Sequence, residues 1–418
     1  MAEVSENSHT NQLAAPIRPW SSLLIRDYRL IFTAILCGNT SNHMRNVATL
    51  YHVYQLSGSS VQLGFTGFFQ AAPAIFFGLF GGVLADTLNR KKLIAITNGL
   101  NILPGLMLAL LTLSGTIQVW HINVLMVVAG ALQVLGGPAR QAIIPSLIPQ
   151  SHLLNAVTLA ILMMQGTQLT APVIAGFMID FYGVAGSYLV DAILPLPSVV
   201  AVLLIRASGQ PQGALRRIGW RSLIEGVEFL WHTRIILSLF ILDFFAVLFG
   251  FYRPILPIFA DVVFNVGARG LGMLYAAPAI GALVGSGILL TFGNVERKGA
   301  LSVIVTLLFA VSLGFLGLAK VYWIGLIAVG LLGFSDAISV AMRRTVVQIL
   351  APDDMRGRAT SFLSVFAQTT NATGAVIAGA GAALLGPSNA ALVGCVLCTL
   401  TVFATCWAIP QLWSYRSD

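Results

Sequence analysis

Gln70-Ala71-Ala72-Pro73-Ala74-Ile75 returns 205 positions later as Tyr275-Ala276-Ala277-Pro278-Ala279-Ile280. Val173-Ile174-Ala175-Gly176 returns 203 positions on as Val376-Ile377-Ala378-Gly379. At that second offset Gln165 meets Gln368, Thr170 meets Thr373, Arg140 meets Arg343 and Pro149 meets Pro352. A single short match means little in so apolar a chain. A near-constant offset over several segments indicates an internal duplication, with the second half built like the first. In a membrane protein such paired halves point to a transporter whose substrate site lies where the halves meet.

The composition places the chain in a membrane. Hydrophobic residues make up 57% of it and charged residues 9%, against roughly 25% charged in soluble domains. Apolar segments recur at the ~20-residue length that a helix needs to cross hydrocarbon. Twelve are expected, at 30–55, 61–86, 93–114, 120–142, 155–181, 187–205, 235–263, 269–292, 300–319, 322–344, 359–385 and 389–409. No stretch alternates as the strands of a membrane barrel would. The expected fold class is therefore an all-α membrane protein, twelve transmembrane helices in two pseudo-symmetric six-helix bundles. Its parts would be a cytoplasmic tail over 1–25, bundles over 26–205 and 235–410, a linker over 206–234 and a second tail over 411–418.

The basic residues set the orientation. With both termini cytoplasmic, Arg18, Arg26, Arg29, Arg90, Lys91, Lys92, Arg206, Arg216, Arg217, Arg221, Arg234, Arg297, Lys298, Arg356, Arg358 and Arg416 fall inside, and only Arg269 and Lys320 outside. That is a strong positive-inside bias. Attraction to anionic inner-leaflet lipid then accounts for the net charge of +8 without nucleic acid. The polar N-terminal tail holds no signal peptide and is expected to be disordered. In the linker, Leu223, Val227, Leu230 and Trp231 share one face of an expected amphipathic helix. Cys37, Cys395, Cys398 and Cys406 all fall in expected spans and read as packing residues.

Between the second and third spans stands Gly82-Val83-Leu84-Ala85-Asp86-Thr87-Leu88-Asn89-Arg90-Lys91-Lys92. It resembles the signature loop of the major facilitator superfamily, glycine-x-leucine-alanine-aspartate followed by a basic cluster. Gly81 and Gly82 are expected to permit close helix approach, and Asp86 at the membrane edge suits the positive end of a neighbouring helix. The resemblance implies a cytoplasmic latch built from Gly82, Asp86, Arg90 and Lys91, with Arg140 at a nearby helix end. Thr87 and Asn89 depart from the pattern, which otherwise has a basic residue and a glycine there. The equivalent place in the second half keeps Arg297-Lys298 without an aspartate.

A narrower resemblance lies in Pro138-Ala139-Arg140-Gln141-Ala142-Ile143-Ile144-Pro145, in Gln348 with Pro352-Asp353-Asp354, and in Arg253-Pro254-Ile255-Leu256-Pro257 with Asp261. These are similar to the branch of the superfamily that holds siderophore exporters, among them the enterobactin exporter, and macrolide-efflux pumps. The resemblance implies a secondary exporter of the siderophore-export type.

Polar residues inside expected spans mark the candidate site. Asn39, Asn42, His43 and Asn46 form one stripe of the first helix, with Arg45 about 60° from Asn42 at ~100° per residue. An arginine in hydrocarbon faces a cavity or a partner. Arg45 is therefore read either as a substrate contact or as a structural cation paired with a carboxylate. Arg253 is a second cation, in the repeat counterpart of the first helix; a pair with Asp261 is the structural alternative. Two guanidiniums favour an anionic or oxygen-rich substrate, since they bind carboxylates and catecholates through paired hydrogen bonds. Asn42, His43, Asn46, Gln70, Gln165 and Tyr275 complete the expected lining. Asp243, Asp336 and His43 are the candidates for proton coupling, and pairing with inner-end basic residues is the alternative for the two acids.

No nucleotide-binding loop, metal-site spacing or cofactor motif stands in the chain, so the energy is expected from an ion gradient or from the substrate's own gradient. The expected function is export of a siderophore or similar anionic metabolite by alternating access, in proton antiport. Its partners would be that small molecule, protons and membrane lipids, with no nucleic acid. A monomer is expected, with a separate outer-membrane efflux partner as an option. Multidrug or macrolide efflux is the alternative, weakened because the first helix offers cationic drugs no carboxylate in the cavity. A sensor or enzyme on a transporter fold is remote.

Overall fold

The computed structural model describes residues 19–210, 233–293 and 295–416, and all regular structure among them is helical. The expected disordered tail and the expected amphipathic linker helix lie outside the described residues. The chain runs through α1 (Arg26–Ser57), α2 (Ser60–Thr87), α3 (Arg90–Leu100), α4 (Ile102–Leu113), α5 (Val119–Leu147), α6 (Leu153–Ile193) and α7 (Pro195–Leu203). After the linker come α8 (Arg234–Gly250), α9 (Gly267–Phe292), α10 (Lys298–Leu318), α11 (Tyr322–Leu350), α12 (Asp353–Leu385), α13 (Pro387–Ala408) and the short α14 (Gln411–Ser414).

The breaks have local causes. Gly58 ends α1 in the left-handed conformation at φ 59°, which costs glycine little because it has no Cβ. Ser59 and Asn89 then cap α2 and α3 by accepting hydrogen bonds from the backbone N–H groups of Gln62 and Lys92. Gly183, at φ 69° and ψ 175°, turns the chain inside α6 and so separates the fifth and sixth expected spans. The seventh expected span is broken. α8 stops at Gly250, and the chain continues through a 3-10 turn at Arg253–Ile255, one turn at Leu256–Ile258 and a π-helical stretch at Phe259–Val263. Pro254 and Pro257 lack the N–H groups that a continuous helix would use.

Each of the twelve expected segments falls on helix. By length and apolarity eight helical stretches qualify as membrane spans, with Gln150–Leu203 counted as one and the bent α2 as a possible ninth. α1 does not qualify because its polar midsection lowers its hydropathy, the very feature that singles it out for function.

Packing divides the molecule unevenly along its length. At the end holding the α2–α3 loop, one apolar cluster (Tyr28, Ile31, Ile94, Ile143, Val202) belongs wholly to the first half. A separate one (Ile236, Leu239, Val303, Val346, Val402) belongs to the second. At the opposite end a single cluster joins both halves, with Met44, Val47 and Leu50 packed together with Leu256, Phe259, Leu271 and Leu274. The halves are thus sealed at one end and parted at the other, an arrangement open toward the basic loops.

Glycines make the seal. α2 crosses α12 so closely that a Cβ on Gly64 would lie 3.1 Å from the Gly379 Cα, and one on Gly379 would lie 2.6 Å from the Ser60 carbonyl oxygen. α6 crosses α9 in the same way, a Cβ on Gly272 falling 3.2 Å from the Gly176 Cα. Small residues at such crossings let backbones pack directly, the usual basis of helix association in lipid. Gly379→Leu is expected to force the α2–α12 crossing apart. Hydrogen exchange of the backbone amides at 60–66 and 376–382 should rise by about tenfold or more as that seal loosens; unchanged exchange would contradict the crossing described here.

Candidate substrate-transport site

The first bundle spends its charges internally. Arg45 is 1% exposed. Its Nε donates to Asp191 Oδ2 at 2.7 Å and its Nη2 to Asp191 Oδ1 at 3.0 Å, a bidentate pair. The remaining donors reach Asn101, Nη1 to the side-chain oxygen at 2.8 Å and Nη2 to the backbone carbonyl at 3.0 Å. Ser41 adds a donor to Asp191 Oδ1 at 2.5 Å. α1, the α3–α4 junction and α6 are thereby pinned together. Arg45 is thus a structural cation paired with a carboxylate, the second of its two readings, and not a substrate contact. Asp191 is fully buried. Such a bidentate pair, with all three guanidinium nitrogens hydrogen-bonded, is the geometry that a buried ion pair requires.

Asn42 also turns to packing. Its amide donates to Gln133 Oε1 at 2.8 Å. Arg140, 8% exposed, donates to the same Oε1 at 2.7 Å and to Asn98 Oδ1 at 3.1 Å. Asn98 in turn donates to Ser198, which donates to the Ala34 carbonyl. Arg140 thus belongs to an internal network of the first bundle, not to a contact across to the second.

The expected latch is likewise held within one half. Arg90 donates to the carbonyls of Ala85 and Ala142, and Lys91 Nζ donates to the Ile205 carbonyl at 2.5 Å. Asn89 reaches the Ser208 carbonyl at 2.7 Å. Asp86 takes part in no ion pair among the described residues. No described latch residue bonds to the second half, as expected at an open end.

The second bundle keeps its charges near the centre. Asp243 on α8 forms an ion pair with Arg343 on α11, both side chains about one-tenth exposed. Asp336, halfway along α11, is exposed and within electrostatic reach of Asp243, Arg343 and Arg253. Arg253 sits in the break after α8, exposed and in no ion pair among the described residues; Asp261 does not pair with it. Tyr275 accounts for its own polar group by donating to the Arg253 backbone carbonyl at 2.8 Å, which fixes the break. The Arg253 charge is felt at His43 of α1 as well as at Tyr252 and Asp336. Arg253 is therefore linked electrostatically to Asp336 of its own half and to His43 of the other. Gln70, Gln165 and Asn46 are half-buried, and no side-chain hydrogen bond among the described residues links them to these three.

At the sealed end lies a contact that the sequence did not reveal. Arg269 of α9 forms an ion pair with Asp180 of α6. Its guanidinium also lies over the rings of Phe181 and Phe177, at 4.6 and 5.5 Å from their centroids. Cation–π contact strengthens an ion pair that exposure would otherwise leave weak. The one sequence signal was the isolation of Arg269 among outer-end residues. Asp191 had a signal of its own, as an acid inside an apolar span.

Comparison with known proteins agrees with this geometry. The family model described as "Transmembrane secretion effector" matches residues 17–414. The enterobactin exporter EntS of Shigella boydii is 28% identical over 364 residues, covering 86% of each chain, and that of an Escherichia coli O81 strain is equally similar. Among solved structures, a POT family transporter in complex with 5-aminolevulinic acid superposes with a TM-score of 0.75 at 14% identity, covering 93% of this chain and 96% of that one. A bacterial homologue of the human lysosomal transporter Spinster, inward-facing and occupied, has a TM-score of 0.70 at 13% identity, over 96% and 99% of the two chains. The molecule is a multi-pass membrane transporter with the major facilitator fold. Within that fold, the chain belongs to the transmembrane secretion effector family.

The Arg45–Asp191 pair makes a stability prediction. Removing one partner strands a buried charge, so Asp191→Ala or Arg45→Ala should each cost about 3–5 kcal/mol. The double variant Arg45→Met/Asp191→Leu should recover most of that loss. Thermal unfolding in detergent measures all three; single variants as stable as the parent would contradict the pairing.

Proposed function

We propose that the protein exports an anionic siderophore or a similar acidic metabolite from the cytoplasm, by alternating access in exchange for protons. The observation that carries this reading is Arg253. It is an exposed cation without a carboxylate partner among the described residues, and its charge acts on His43 of the other half. A guanidinium so placed favours a carboxylate or catecholate. The similarity to enterobactin exporters supports the same substrate class.

In this reading the basic loops face the cytoplasm and the parted end is the cytoplasmic mouth. The bundles run over 26–205 and 235–410, tethered by 206–234. Substrate enters past Gln165 and Gln70 to Arg253. Asp336, beside the Asp243–Arg343 pair, accepts a proton from the far side. Neutralising Asp336 leaves Arg343 and Arg253 in excess over Asp243, and the altered balance favours reopening toward the cytoplasm. His43 is the alternative carrier. Arg45 is structural. Arg269 and Asp180 close the outer side and must separate when it opens; Asp86, Arg90 and Lys91 close the inner side in turn.

Cationic-drug efflux is less favoured, because α1 offers the cavity no carboxylate, its one acid being Asp27 in the first turn.

The test is secretion of enterobactin from a host that makes it but lacks its own exporter. Expression of this chain should restore secretion to the medium. Arg253→Gln should lower it about tenfold, the cost of one charged contact, with equal protein in the membrane. Asp336→Asn should leave secretion insensitive to the pH of the medium. Restored resistance to lipophilic cations without enterobactin secretion would contradict the proposal.

A further inference from the structure

The two halves treat the same arginine differently. Arg343 on α11 has Asp243 as its counter-charge. Its repeat counterpart Arg140 on α5 has only neutral partners, the side-chain and backbone oxygens of Gln133 and the side-chain oxygen of Asn98. No shift of register supplies a carboxylate, since the only acid in the whole of α1 is Asp27 in its first turn, and Asp27 accepts from the backbone of Arg206 and Ala207. In the place of an aspartate the first half has an amide bridge, Asn42 to Gln133 to Arg140. A buried arginine with neutral partners is hydrogen-bonded yet uncompensated in charge.

The space beside it is unfilled. A Cβ added at Gly137 would meet nothing nearer than Arg140 Nη2 at 4.0 Å, and one added at Gly38, a turn from Asn42, would meet nothing within 4 Å. Asn42 and Gln133, which screen the guanidinium, are themselves half-exposed. At ~1.5 Å per residue Arg140 lies about 10 Å from the end of α5 at the open mouth, whereas Arg253 lies beyond the whole length of α8.

We infer that Arg140 is an anion-receiving site nearer the mouth than Arg253, where an acidic group of the substrate takes the place that Asp243 holds beside Arg343. Displacing the Gln133 side chain exposes Nη2 to a carboxylate or catecholate without disturbing the Asn98 contact. Each half then presents one cation to the substrate, and the favoured substrate carries more than one acidic group. The inference rests on the reading of an anionic substrate entering from the open end.

Gln133→Glu tests it, because the new carboxylate would occupy Arg140 from within. The probe is 2,3-dihydroxybenzoate, binding read as thermal stabilisation of the purified full chain. In an Arg253→Gln background the probe should still stabilise the protein. Adding Gln133→Glu should weaken that response about tenfold, while the protein without probe melts no lower than its parent; Arg140→Gln should do the same if it folds. An Arg253→Gln protein that ignores the probe, or a Gln133→Glu protein that responds like its parent, overturns the inference. Loss of enterobactin secretion by the unmodified chain would instead strike the export reading, and probe binding would show that separately.

Discussion

A charge inside the hydrocarbon has to find a partner or a water-filled space, and the plan of this transporter follows from how each charge does so. Arg45 and Asp191 neutralise one another in a fully buried bidentate pair that joins α1, the α3–α4 junction and α6. With that pair in place the first bundle is a rigid block. Arg253 and Asp336 lack such pairs and are exposed, so a cavity has to reach them. The fold seals the halves at one end through glycine crossings and keeps their apolar clusters separate at the other.

The seal is built to be reversible. Gly64 on Gly379 and Gly176 on Gly272 bring backbones into contact with little side-chain interdigitation, and the Arg269–Asp180 pair with its two phenylalanine rings is about two-fifths exposed. Water can take over both partners of an exposed pair at small cost. The buried Arg45–Asp191 pair offers no such exchange. Strength thus sits inside each bundle and weakness between the bundles, as rigid-body rocking requires.

Much of this was legible in the sequence. The repeat and the apolar spans pointed to the architecture because hydrocarbon imposes helix length. The motif at Gly82–Lys92 placed the α2–α3 loop correctly, and Asp243 was paired as its alternative reading allowed. What the sequence did not settle was direction. Arg45 and Asn42 lie on the polar face of α1, but whether that face meets a cavity or another helix depends on Asp191 and Gln133, 146 and 91 residues away. Helical periodicity knows nothing of partners so distant. The break after Gly250 likewise rests on a distant partner: prolines signal a bend, but Tyr275 holds the Arg253 carbonyl from another helix. The Arg269–Asp180 contact gave no local pattern at all.

The proposed function has one direction, out of the cytoplasm, and one driving force, the proton gradient. Enterobactin uptake into inside-out membrane vesicles bearing this chain, with the lumen made acidic, measures that most directly. Accumulation that collapses when an ionophore dissipates the pH gradient is the expected result. Vesicles that bind enterobactin but accumulate none under an acid-inside gradient would contradict an exporter driven by protons through Asp336 and Arg253.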